Sequence, residues 1–128
     1  MNKRQNISSG AKWEDIVGYS RAVRVGNIIE VTGTVSIKDG NIFGKGDPYL
    51  QAKRCLEIIK ETVTKAGGSL EDIVRTRMFV TNIDFWEEFG KAHSEMFQTI
   101  KPATTMVEVS RLIESDYLIE IEATAIVQ

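Results

Sequence analysis

The sequence predicts an α+β domain, a mixed sheet with helices packed on one of its faces. Three observations carry this. Two stretches repeat apolar residues at helical spacing, five others are β-branched or alternate apolar with polar side chains, and the two kinds interleave as β-β-α-β-α-β-β.

The first two strands lie in Ala22–Thr34 and meet at Gly26-Asn27, a dipeptide suited to a tight turn. Lys38-Asp39-Gly40-Asn41 follows as a polar turn, with Asp39-Gly40 a strong hairpin signal. Asp47-Pro48 opens the first helix, the aspartate accepting from unpaired backbone N–H groups and the proline taking the first helical position. Ala52, Cys55, Leu56, Ile59, Val63 and Ala66 form its apolar face, and Gly67-Gly68 ends it. Ile73–Thr81 is the third strand. Asp84 is the expected cap of a second helix, with Phe85, Phe89, Ala92, Met96 and Phe97 at helical spacing. Lys101-Pro102 forces an extended chain into the strand Thr104–Val109. The last strand, Tyr117–Val127, alternates most regularly.

At 128 residues the chain is read as one domain, residues 1–128, able to bury roughly two-thirds of its unfolded surface without staples. Net charge is −2 with the two signs interleaved, so no basic track for nucleic acid is present and no nucleic-acid partner is expected. The start, Met1-Asn2-Lys3-Arg4-Gln5-Asn6, has no apolar run of the secretory kind. No apolar run approaches the ~20 residues of a membrane helix. Cys55 stands alone, which fits a reducing compartment, and a cytoplasmic protein is expected.

Strand alternation places Glu30, Thr32 and Thr34 opposite Ile29, Val31 and Val35. It groups Arg75 and Arg77 with Ile73 and Phe79, and Thr104, Met106 and Glu108 opposite Thr105, Val107 and Val109. Glu120, Glu122 and Thr124 oppose Ile119, Ile121, Ala123 and Ala125. One sheet face is therefore polar, either a solvated surface or a subunit interface and cleft. Periodicity does not choose between them. His93, the single histidine, sits on the apolar side of its helix and reads as a packed imidazole, with acid–base work the alternative. Cys55 reads as a buried inert thiol. No second His or Cys stands at ligand spacing, so neither a metal nor another cofactor is expected.

Several segments carry a resemblance. Gly18-Tyr19-Ser20-Arg21-Ala22-Val23 resembles the P-Y-S-Q-A-V segment of YjgF/RidA (reactive intermediate deaminase) proteins, and Val31-Thr32-Gly33-Thr34 is similar to their V-S-G-Q. Val74–Asn82 matches their V-x-T-x-V-F-V-T-D pattern. Lys101-Pro102-Ala103, Val107-Glu108-Val109 and Ile119–Ala123 resemble the family's C-terminal signature. In order and spacing these cover about residues 17–127.

The resemblance implies a chorismate-mutase-like fold and a homotrimer with small-molecule clefts at its subunit boundaries. It also implies an activity, hydrolysis of 2-imino acids to 2-keto acids and ammonia. In such members an arginine after Pro-Ala grips the substrate carboxylate and a glutamate of the last strand positions water. Here Thr104-Thr105 follow Pro102-Ala103, Met106 takes the place of a common cysteine, and Gly90 that of an asparagine; Tyr19, Gly33 and Glu120 are retained. Glu120 is thus the candidate catalytic residue, and Tyr19, Gly33, Thr104 and Met106 are candidate ligand contacts. Arg77 is either a relocated cation for the ligand or the ion-pair partner of Glu122 or Glu108. The expected function is a deaminase-like hydrolase of an imine- or carbonyl-bearing molecule, with weak or no 2-imino acid turnover because threonine brings no cation. The alternative is a non-catalytic ligand-binding or regulatory trimer. The endoribonuclease activity also attributed to the family ranks below both, since no nuclease constellation is present.

Overall fold

Ile7, half-buried, ends the first strand, β1 (Arg4–Ile7), in the computed structural model, which describes residues 3–128. Residues 1 and 2, counted in the single-domain reading, lie outside the described residues. Helix α1 (Lys12–Val17) follows and closes on Gly18 at φ 88°. Neither element shows in the sequence pattern. β1 is short and mostly exposed, and α1 is too brief for a helical period, with Ile16 and Val17 left on its surface.

Strands β2 (Ala22–Val25) and β3 (Ile28–Val35) form the hairpin expected at Gly26-Asn27, with Gly26 at φ 61°. A small second hairpin, β4 (Ile37–Lys38) with β5 (Asn41–Ile42), turns through Asp39 (φ 53°) and Gly40 (φ 80°), the paired positive angles of a type I′ turn. Helix α2 (Pro48–Lys65) starts as its sequence requires, with Asp47 Oδ1 accepting from Leu50 N at 3.0 Å. Strand β6 (Ile73–Val80) leads to a correction. Asn82, not Asp84, makes the cap, its side chain accepting from Asp84 N at 2.9 Å. A 3₁₀ turn over Ile83–Phe85 delays helix α3 to Trp86–Phe97. Strands β7 (Ala103–Glu108) and β8 (Ile119–Ile126) complete the chain.

The large sheet runs β1-β2-β3-β8-β6-β7, antiparallel throughout except for the parallel β6–β7 pair. Helices α2 and α3 cover one face. Ala52, Cys55, Leu56, Ile59 and Val63 from α2, and Phe89, Ala92 and Phe97 from α3, meet Ile119, Ile121, Ala123 and Ala125 of β8. Each large apolar side chain so buried contributes ~1.5–3 kcal/mol.

Two bulges correct the face assignments. Between Val31 and Thr34 the β3–β8 register slips, so Thr34 turns into the core at 0% exposure and Val35 comes to the open face opposite Glu120. A second slip between Ile73 and Arg75 returns Ile73 to the core, away from the arginines. An inserted residue reverses strict alternation, which is why both were assigned to the wrong face. β7 is also corrected. Thr104 pairs with buried Thr76 and Met106 packs against the core, so both face the helices, while Thr105 joins Arg75 on the open face through a 2.6 Å hydrogen bond. A parallel edge strand takes its facing from its neighbour, and its own short pattern is ambiguous.

Candidate functional site

The bulge in β3 builds the site. Thr32 and Gly33 fall in the gap of the register, and Gly33 lies directly under the side chain of Glu120. A Cβ at Gly33 would stand 2.1 Å from Glu120 Oε2, so only the absence of a side chain leaves room for this carboxylate. The segment entering β8 is held by buried Gln51, which donates to Gly44 O (3.2 Å) and Asp116 O (3.0 Å) and accepts from Leu118 N (2.9 Å). Glu120 is thereby placed from two sides, by a bulge and by a pinned strand start.

Glu120 opens into a cavity of about 540 Å³ that Tyr19, Arg21 and Gly33 also line, with Ser8 and Ser9 at its rim and Thr62 of α2 on a wall. Burial raises its pKa above the ordinary glutamate value; Arg21 pulls it down and Glu122 pushes it up, and the net direction is upward. A carboxyl shifted this way holds and releases protons closer to neutrality than a solvated one.

Arg21 is the residue that sequence reasoning missed. Its Nη2 donates to Thr32 O (2.9 Å), Gly33 O (2.9 Å) and Thr34 Oγ1 (2.7 Å), clamping the bulge. Its Nε is buried without a partner. Burial lowers its pKa, with Tyr19, Glu14, Cys55 and Glu120 acting against that, and an arginine stays charged at neutral pH regardless. The available signal was a charged residue replacing glutamine inside the segment that carries Tyr19. Glu14, also missed, is buried and accepts from Ser8 Oγ (2.9 Å), Ser9 N (3.0 Å) and Ser9 Oγ. These bonds dock the N-terminal segment beside the cavity.

The remaining candidates are elsewhere. Thr104 lines a separate cavity of about 420 Å³ with His93, Phe97 and Lys101. There Thr76 Oγ1 lies 2.7 Å from Thr104 Oγ1 and 2.8 Å from His93 Nε2. His93 is a packed imidazole, its ring 4.6 Å from that of Phe97, and burial lowers its pKa. Within one chain β6 separates β7 from β8, so Thr104 and Met106 do not meet Glu120. Arg77 faces Glu122 across the β6–β8 register at 3.5 Å, in a shallow hollow of about 740 Å³ on the open sheet face. This is the ion pair rather than a free cation. Cys55 is fully buried, and burial raises its thiol well beyond reactive range.

The fold and the glutamate-over-glycine cavity define a class of small α+β protein with a ligand-sized pocket beside its sheet. A family model described as Endoribonuclease L-PSP matches residues 10–127. A RutC family protein of Pyrococcus abyssi is 42% identical over 109 residues, 84% of this chain and 84% of its own. Among solved structures, Rv2704 of Mycobacterium tuberculosis, described as a member of the YjgF/YER057c/UK114 family, has a TM-score of 0.89 at 43% identity, covering 98% of this chain and 100% of that one. The YjgF gene product of Escherichia coli gives 0.82 at 29% identity over 96% of this chain and 94% of its own. The chain belongs to the YjgF/RidA family. Its mixed α+β fold is that of the YjgF/UK114 structures, and no described helix is long and apolar enough to cross a membrane.

Proposed function

We propose that this protein is a deaminase-like hydrolase of small imine- or carbonyl-bearing molecules, working as a cytoplasmic homotrimer. The observation that carries the reading is the Glu120 carboxyl seated over Gly33 in a cavity of ligand size, with its pKa raised by burial. In the ionised form Glu120 takes a proton from water as the water oxygen bonds to the C=N carbon. The π pair moves to nitrogen, which receives the proton that Glu120 took from water, giving the carbinolamine. In its collapse Glu120 takes the hydroxyl proton as C=O forms and passes it to the departing nitrogen, which leaves as ammonia. Tyr19, at the cavity mouth, orients the ligand through its hydroxyl. Thr104 and Met106 complete the cleft from a neighbouring subunit. Support for that arrangement comes from β7, an exposed edge strand whose Thr104 lies in a different cavity from Glu120 of the same chain. Threonine donates a hydrogen bond without charge, so 2-imino acids oriented from that wall turn over slowly.

The test is ammonia or carbonyl release from a panel of imines, including 2-iminopropionate generated in situ by an amino-acid oxidase. Turnover of 2-iminopropionate is expected well below that of an arginine-bearing relative. Glu120→Gln keeps the shape of the side chain, and it should abolish turnover of any substrate found while changing affinity less than tenfold. Undiminished turnover in Glu120→Gln removes Glu120 from the chemistry. Ligand binding with no turnover in the wild type replaces the hydrolase by a binding trimer.

A further inference from the structure

His93, Thr76 and Thr104 stand in a line that runs from a half-buried imidazole to an exposed hydroxyl. Thr76 Oγ1 lies 2.8 Å from His93 Nε2 and 2.7 Å from Thr104 Oγ1. Thr76 is 0% exposed, while Thr104 opens on the surface of the edge strand β7. Each hydroxyl carries one hydrogen and also accepts, so the line can run in either direction. With Nε2 protonated, Thr76 donates to Thr104. With Nε2 bare, Thr104 donates to Thr76 and Thr76 to the imidazole. Burial lowers the His93 pKa, which keeps the ring neutral at pH 7 and able to accept a proton. The ring packs on Phe97 with its centroid 4.6 Å away, which holds its orientation. One partner would satisfy the buried Thr76 hydroxyl, and the second carries the line out to the surface.

We propose that Thr104 is a nucleophile for small acyl esters, with His93 as its base acting through Thr76. A hydroxyl linked by hydrogen bonds to a base whose ring is held in place is the arrangement that activates a side-chain oxygen. The cavity of about 420 Å³ beside Thr104 admits a short acyl group, and no carboxylate lines it. Gln98 and Lys101 do line it, and Lys101 belongs to none of the four ion pairs among the described residues. Its ammonium is the charge that suits an oxyanion forming there. In the step, Thr104 Oγ1 bonds to the ester carbonyl carbon as its proton passes to Thr76 and that of Thr76 to Nε2. The carbonyl π pair moves to oxygen, then returns as the C–O bond to the leaving group breaks. A leaving group stable as an anion, such as a phenolate, departs with the bonding pair. Water then hydrolyses the acyl-threonine, which releases the carboxylic acid and restores the hydroxyl, and His93 gives its proton to solvent. The step uses no group of the Glu120 cavity and stands whether or not that site hydrolyses imines.

The experiment is reaction of the full-length protein with p-nitrophenyl acetate at pH 7, quenched in acid at successive times and followed by peptide mapping of the acetyl groups. Thr105 is the internal control, an exposed threonine on the same strand that bonds to Arg75 instead of the relay. Acetylation of Thr104 is expected to outpace that of Thr105 by roughly tenfold or more, within what a positioned base contributes. Thr76→Val removes the relaying hydroxyl and His93→Gln removes the base. Each should bring Thr104 down to the level of Thr105. Thr76→Ser returns a hydroxyl to the same place and should recover the selectivity, which a packing role alone would not do. Equal acetylation of Thr104 and Thr105 in the wild type overturns the proposal, and so does selectivity that survives either Thr76→Val or His93→Gln. Failure of Thr76→Ser to recover it assigns the loss to packing and refutes the relay. If Thr76→Val does not fold, the wild-type comparison and His93→Gln decide.

Discussion

Gly33 concentrates the logic of the site in a single missing methyl group. Its backbone stands outside the positive-φ region, so alanine meets no conformational penalty there. What alanine meets is the carboxylate of Glu120, the mobile end of a side chain that can swing away. Gly33→Ala is therefore expected to cost little stability, about 1 kcal/mol or less by denaturant unfolding, because a flexible group yields before the backbone does. Turnover should fall at least as far as in Glu120→Gln, since the displaced carboxyl no longer faces the ligand. A Gly33→Ala variant with full activity would show that the position of Glu120 does not matter. Among single residues, Tyr19, Gly33 and Glu120 were legible as cleft members through their segments. Arg21 was not, since its role becomes visible only once the fold brings it, half-buried, against the bulge.

At the scale of elements, α3 and β6 are joined by a polar contact inside an apolar layer. His93 reaches Thr76, and Thr76 reaches Thr104 on the edge strand. The histidine pKa is lowered by burial, so the folded state binds its proton less readily than the unfolded chain does. The stabilising difference is complete above the unfolded value near 6.5 and is lost as pH falls through the lower folded value. Thermal unfolding between pH 7.5 and 5 should show this as a declining Tm in the wild type. His93→Gln keeps a hydrogen-bonding group without a titrating one, and its Tm should decline less over the same interval. Parallel decline in both proteins would place the acid sensitivity elsewhere. The sequence assigned His93 to the packed side of its helix, and the period of α3 is sufficient for that. The Thr76–Thr104 link lies across two strands and follows from their parallel register.

At the scale of the molecule, the open sheet face, the exposed edge strand β7 and the apolar surface at Ile16, Val17 and Ile113 ask for a partner surface. The proposed homotrimer would supply it and would bring Thr104 of one subunit towards Glu120 of another. Light scattering at micromolar concentration is expected to give three times 14.3 kDa. A monomer mass would remove the shared cleft and leave the Glu120 cavity to function alone.

The sequence by itself determined the two long helices α2 and α3, the hairpin turns, the five principal strands and the identity of the family. Each of these is written in local period or turn chemistry. Asp47-Pro48 and Gly67 bound α2 because capping acts within a few residues, and β8 alternates cleanly because one of its faces is buried along its whole length. Only the tertiary structure decided which residues share the cavity. Two bulges, each a single added residue, moved Thr34 and Ile73 into the core, and strand order separated Thr104 from Glu120. Arg21 reached the cavity wall by clamping a bulge that no local pattern announces. Register and strand order arise from contacts between residues far apart in the chain, and a reading that runs along the chain does not contain them.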